Sequence, residues 1–438
     1  MSSFDELVKK LDDFDIDVRK DAFERLCGLE GVDFAEPGDA LNCHSHTFFS
    51  YNAYGYSPLR FVWEAKRRGL SFAGMVDFDV LDGLDEFLRG CDMLGVKGCV
   101  SLETRTFVPE FSERVINSPG EPGVAYHMGL GFVSADVPQE AREFLDGMRV
   151  RAEERNRGLV ERVNGFLSPV ELDYARDVQS LTPSGNATER HICLAYARKA
   201  LDMMGPGEDL AQYWSTKLDV DVSELDLPDG AKLQGLIRAR TMKRGGVGYV
   251  QPGSGSFPSL AEMNRFVLAC GAIPALTWLD GTSEGEQAIG ELLELSMSLG
   301  SAAVALIPDR NYTPGVKDEK LANLYDIVER AERAGLPVLI GTEMNSPGQK
   351  FVDNFDADEL KPLIPVFVKG ARIVYAHTVL QRNAGMGYLS GWAAASFGSV
   401  KEKNLFFEEF GRRHAAGSGL PEGIGIESSP AEILDRLG

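Results

Sequence analysis

Cysteine is sparse and scattered in this chain. Six residues in 438 (Cys27, Cys43, Cys91, Cys99, Cys193 and Cys270) include no Cys-x-x-Cys pair. That spacing excludes a disulfide framework and suits reduced thiols. No apolar run approaches the roughly 20 residues a membrane span needs. The opening MSSFDELVKKLDDFD is acidic and amphipathic, unlike a signal or transit peptide, so a cytoplasmic protein is expected. Cations are in deficit, 45 Lys and Arg against 66 Asp and Glu, a net charge of −21. Such a charge repels phosphate backbones and anionic lipid, which argues against nucleic-acid and membrane partners. A small anionic substrate stays open, because a bound metal reverses the local field. DFDIDVRKD lacks the Gly and the terminal Glu of a calcium loop. RVRAEERNRG mixes both signs, as a solvated helix face does.

What is present is an ordinary globular composition, 44% hydrophobic and 25% charged, enough for a sizeable core. One punctuation recurs: a helical segment ends in Gly and a short apolar run follows. It occurs in KRRGLSFAGMVD, DMLGVKGCVSLE, LACGAIPALTW, SLGSAAVALIP and ERAGLPVLIGTE. Gly suits the left-handed position after a helix, and continuous apolar runs read as strands buried on both faces. The repeat predicts an α/β fold of parallel βα units. Residues 1–38 read as a helical extension, and 138–245 as a mostly helical insertion that interrupts the rhythm. ARIVYAH, after the last clear βα unit, reads as another strand.

The chain has six histidines: His44, His46, His127, His191, His377 and His414. The His-x-His pair ends the first apolar run, and on a strand its imidazoles share one face about 6–7 Å apart. Asp77, Glu103, His127, Glu343 and His377 sit at what read as the ends of further strands. In a parallel barrel these ends gather at one mouth. Taken singly, each reads as a strand-end residue touching solvent. Taken together, ionisable groups closing six apolar strands point to a shared cation.

Several segments then resemble the PHP (polymerase and histidinol phosphatase) domain family, closest to its small-molecule metal-dependent phosphoesterase branch. HSHTFFS with SPLRFVWEAKRRGL resembles the first motif, and GMVDFDVLDG the second. SLE and YHMGLGF resemble the later Glu and His motifs, and ERHICLAYARKAL the Arg-x-His helix start. GGVGYVQP, CGAIPAL and GLPVLIGTEMN follow in the same order, so the resemblance spans roughly residues 40–350. It implies a distorted TIM-like (β/α)7 barrel built from residues 39–137 and 246–380, with 381–438 as a carboxy-terminal extension.

The resemblance further implies a metal-dependent hydrolase, most simply a phosphoesterase acting on a small anionic molecule. His44, His46, Glu103, His127, His191 and Glu343 would hold two divalent transition-metal ions, Zn, Mn or Fe. The third-metal ligands of the family are missing, with Tyr51 and Asn52, Phe78 and Asn345 in their places. Asp77 reads as a group orienting an imidazole or as a turn carboxylate. Arg105, Lys350 and Asn345 are candidate substrate contacts, with Arg105 on the Glu103 face of its strand. His377 reads as a general acid, a replacement ligand or a plain strand-end imidazole, and His414 as solvent-exposed. Two other readings stay open: hydrolysis of a C–N or C–O bond, and a non-catalytic binding module.

Overall fold

The computed structural model describes residues 3–312 and 318–437. Seven strands form one sheet in chain order: β1 (Leu41–Ser45), β2 (Phe72–Phe78), β3 (Lys97–Phe107), β4 (Val124–Leu130), β5 (Ile273–Trp278), β6 (Ala303–Leu306) and β7 (Val338–Ile340). The sheet curls into a nearly closed barrel with helices outside it. Closure is by a single bridge between Ser45 and Glu343, where His46 N donates to the Glu343 carbonyl at 2.8 Å and Glu343 N to that of His44 at 2.8 Å. Asn42 fastens the same seam, its Nδ2 donating to Thr342 Oγ1 and to the Phe351 carbonyl.

Helix–Gly–strand units build most of the barrel. Helix α4 (Leu84–Leu94) stops at Gly95, whose left-handed φ of 63° lets its N–H reach back to the last carbonyls before β3 begins. Ser57 caps α3 (Pro58–Arg67), accepting from Arg60 N, with Pro58 in the first turn. Helices α1 (Ser3–Lys10) and α2 (Ile16–Cys27) and the turn between them pack Leu7, Phe23 and Leu11 into the core around Trp63 and Phe87. Between β4 and β5 the chain is helical, including α5 (Gln139–Leu167) and α6 (Glu189–Met204), around a separate core with Tyr196 and Trp214.

Two features depart from the sequence reading. β4 runs antiparallel to both neighbours, so its carboxy-terminal end lies away from the mouth. ARIVYAH is not a strand but part of a 21-residue helix, Ile364–Ala384. That helix is apolar nearly all round because it is packed on several sides. Gly370 lies so close to β7 that a Cβ would fall 1.9 Å from the Val338 carbonyl oxygen, and Gly411 presses likewise on Arg372 from the helix Val400–Arg413. No helix among the described residues is long and apolar enough to cross a membrane.

Candidate metal centre

Three side chains meet where His44 and His46 leave the end of β1 and Glu103 lies midway along β3, which continues to Phe107. His46 Nε2 lies 3.1 Å and His44 Nε2 3.6 Å from Glu103 Oε2, all three residues 3% exposed or less. The imidazole centroids are 5.4 Å apart. Neither ring nitrogen of His44 has a hydrogen-bond partner among the described residues. A buried imidazole left so costs about 1–3 kcal/mol per unmet group, and a cation between the rings and the carboxylate offsets it. Burial alone pushes Glu103 up, but the two imidazoles beside it, His44 and His46, outweigh it and hold the carboxyl at about 2.

The loop after β1 fixes the second imidazole. Asp77, buried at the end of β2, accepts from Thr47 N at 2.9 Å, Thr47 Oγ1 at 2.6 Å and Ser50 Oγ at 2.6 Å. With its proton on Asp77, Ser50 Oγ accepts from His46 Nδ1 at 3.0 Å. Nδ1 therefore carries a proton, and Nε2, 3.1 Å from Glu103 Oε2, is the nitrogen left for the carboxylate or for a cation bound beside it. Burial raises Asp77, opposed by the His46 charge and the Ser50 and Thr47 hydrogen bonds. Asp77 thus acts on His46 through Ser50 and is a positioning residue; it does not touch the ring.

The other expected ligands do not join this group, which is the one cluster of its kind among the described residues. His127 lies mid-strand opposite Thr104, on the outer side of β3 and β4. Its Nε2 is 2.6 Å from Asn264 Oδ1 of the helix Leu260–Ala269, and burial lowers it to about 4. His191 closes a capping box at the start of α6, its Nδ1 accepting from Thr188 N at 3.1 Å. Its ring meets Tyr51 at 5.2 Å, and burial pushes it down to about 3. Glu343 borders His44 and His46 through its backbone, but its carboxylate is taken by Arg310 Nη2 at 3.0 and 3.2 Å and by Gln349 Nε2 at 2.7 Å. Its φ of 63° and that of Met344, 54°, turn the chain sharply there. One ligand set is assembled where two were expected.

His377 is displaced altogether. From its helix it accepts from Tyr388 N at 2.9 Å on Nδ1 and donates through Nε2 to the Gly131 carbonyl at 3.0 Å, beyond the far end of β4. The apolar run that looked like a strand is helical, so its last residue never reaches the mouth. His414 is buried, not exposed: the turn after its helix folds back, and Tyr375 Oη and the Gly419 carbonyl lie 2.8 and 2.7 Å from its two nitrogens. Arg105 does share the Glu103 face but is tied to Glu121 at 3.1 Å and lies over Phe257. Lys350 is exposed and bound to Asp309 at 2.7 Å. Asn345 is half-buried in the loop after β7.

Tyr126 was missed. It lies directly opposite Arg105 in the β3–β4 pairing, so alternation puts Tyr126, and not its neighbour His127, on the Glu103 face. Its ring is 6.3 Å from Phe78, which stacks on His46 at 4.4 Å. Burial raises the phenol, opposed by Arg105, so it remains a proton-bearing donor. The Tyr-His pair carried a signal, since one of two adjacent strand residues must face inward, but choosing between them required the strand pairing. The helical segment also reaches the mouth: Asn186 Nδ2 donates to the Phe78 carbonyl at 2.8 Å, and Arg190 to Ser346 Oγ at 2.7 Å.

No protein-family model and no curated protein sequence matches the chain. Among solved structures, it is similar to an amidohydrolase from Chromobacterium violaceum with bound sulfate and no metal. That match has a TM-score of 0.49 and 15% identity over 74% of this chain and 96% of the other. It is also similar to a protein from Bifidobacterium adolescentis ATCC 15703 assigned as a metal-dependent phosphoesterase, with a TM-score of 0.48 and 15% identity over 76% and 98%.

Proposed function

We propose that this chain is a metal-dependent hydrolase of the PHP type, a phosphoesterase acting on a small anionic molecule with one divalent transition-metal ion at His44, His46 and Glu103. One observation carries the reading: two buried imidazoles turn their Nε2 atoms onto a single carboxylate oxygen, and one of them has no hydrogen-bond partner among the described residues. Imidazole with carboxylate suits Zn, Mn or Fe. Such an ion, when bound, supplies Lewis acidity toward a phosphoryl oxygen and a hydroxide at neutral pH.

The chain's own residues do the rest. Ser50 and Asp77 hold the His46 ring with its lone pair toward the ligand position. Phe78 covers one face of that ring and keeps water from it. Arg105, Arg238, Lys243 and Arg310 place positive charge at the mouth of a strongly acidic protein, each restrained by Glu121, Glu189 or Glu343. Fixed cations of this kind bind and orient an anion with little reorganisation. The test is p-nitrophenyl phosphate hydrolysis by protein stripped of metal and then reloaded with Mn(II) or Zn(II). Activity should appear only on reloading and be absent in Glu103→Gln. Equal hydrolysis before and after stripping would sink the metal-dependent reading.

A further inference from the structure

Beside the triad stand two polar groups with donors to spare. Arg310 spends only Nη2 on the Glu343 carboxylate, and its Nε and Nη1 have no partner among the described residues. Its side chain is 42% exposed while that of Glu343 is 8% exposed, so the buried acid anchors a guanidinium that reaches outward. The anchor itself is rigid. Glu343 is tied through its backbone to both His44 and His46 and held in a left-handed turn that non-glycine residues rarely adopt. On the other side, half-buried Tyr126 is joined to the triad through Phe78 and His46. Its hydroxyl, too, has no hydrogen-bond partner among the described residues.

The ordinary fate of such groups is a partner in the protein. Glu121 shows it nearby: its Oε2 takes both Arg105 Nη1 and Ser118 Oγ. Arg238 spends Nε on Glu189, which Lys243 also neutralises. Arg105 and Arg238 keep donors open as well, but Arg310 is the one whose anchor, Glu343, is tied through its backbone to both triad imidazoles, and Tyr126 reaches them through Phe78. A guanidinium offers a planar fork to oxyanions and a phenol a single O–H, and together they match a tetrahedral dianion better than a neutral acyl group.

We propose that Arg310 and Tyr126 bind the anionic group of the substrate next to the triad, with Glu343 serving as the anchor of Arg310 instead of as a metal ligand. This deepens, and rests on, the reading of the site as one for a small anionic molecule. The test uses the full chain reloaded with Mn(II) and titrated calorimetrically with inorganic phosphate, alongside elemental analysis.

Arg310→Met should weaken phosphate by about tenfold or more, and Tyr126→Phe by about threefold to tenfold, both with wild-type Mn content. Glu343→Gln should keep its Mn and bind phosphate as well as or better than wild type. Arg310→Met in the Glu343→Gln background should still lose phosphate, which separates loss of the grip from exposure of a bare carboxylate. Phosphate affinity unchanged in Arg310→Met and Tyr126→Phe, or loss of Mn in Glu343→Gln, would overturn the inference. A wild type that binds no phosphate would do the same. Wild-type protein that holds no Mn, yet loses phosphate in these variants, would contradict the metal-dependent function alone. If Arg310→Met does not fold, Arg310→Lys, which keeps charge but not the fork, carries the same expectation at reduced size.

Discussion

Two sets of buried histidines occupy this molecule, and they are treated differently. His377 and His414 have both ring nitrogens within hydrogen-bond range of protein groups: a backbone amide and a carbonyl for His377, a tyrosine hydroxyl and a carbonyl for His414. At the barrel mouth His44 has neither nitrogen satisfied among the described residues, and His46 has one facing a carboxylate. Burial is equal in the two sets, so burial does not distinguish them. The difference is whether the fold supplies the partners. Where it does, the imidazole is structural; where it leaves two aimed at one carboxylate, the missing partner is a ligand.

Substitutions can break or sharpen that contrast. The largest effect is expected at Glu103, shared by both mouth imidazoles: Glu103→Gln should abolish metal retention and activity together while circular dichroism shows an intact fold. His377→Ala should do the reverse. It empties a packed site and strands a backbone N–H and a carbonyl, at a cost of about 3–5 kcal/mol in denaturant melts, while folded protein keeps its metal. Equal damage to metal content in both variants would erase the contrast.

A smaller effect is expected from pH. Burial holds His377 neutral, at about 4, against a small opposing contribution from its Gly131 contact. The unfolded chain takes up this proton near pH 6.5. The stability His377 gives is therefore complete above about pH 6.5 and declines as pH falls toward 4, by up to about 3 kcal/mol. Denaturant melts between pH 7 and 4.5 should slope less in His377→Gln than in wild type; parallel slopes would contradict this. The smallest effect is at the mouth's supporting layer. Ser50→Ala removes the link from Asp77 to His46 and should weaken metal about 10- to 100-fold in chelator competition, with a stability loss of about 1–3 kcal/mol from the buried hydrogen bonds it breaks.

Much of this was legible in the residues. Helix–Gly–strand punctuation announced the parallel units, and HSHTFFS placed the imidazole pair at a strand end with the Ser and Thr that bind Asp77. Glu103 and Arg105 fell on one face by simple alternation. Three things were hidden. A short, mostly apolar run does not say whether it is a buried strand or part of a buried helix, and ARIVYAH is mostly apolar because its helix is packed on several sides. Strand direction is not written in a strand, so β4 read as parallel and His127 as a residue at its mouth end, where the antiparallel pairing instead turns Tyr126 to the Glu103 face. The fate of a carboxylate depends on what the fold brings beside it, and Arg310, 33 residues before Glu343, carried no mark of that pairing.

The central claim, that His44, His46 and Glu103 form a metal site, is tested most directly by elemental analysis of untagged protein. The protein would be reloaded with Zn(II) or Mn(II) and freed of excess, wild type beside Glu103→Gln. Close to one divalent ion per chain in wild type and none in Glu103→Gln is the expected result. Metal-free wild type, or equal metal in the two proteins, would contradict it.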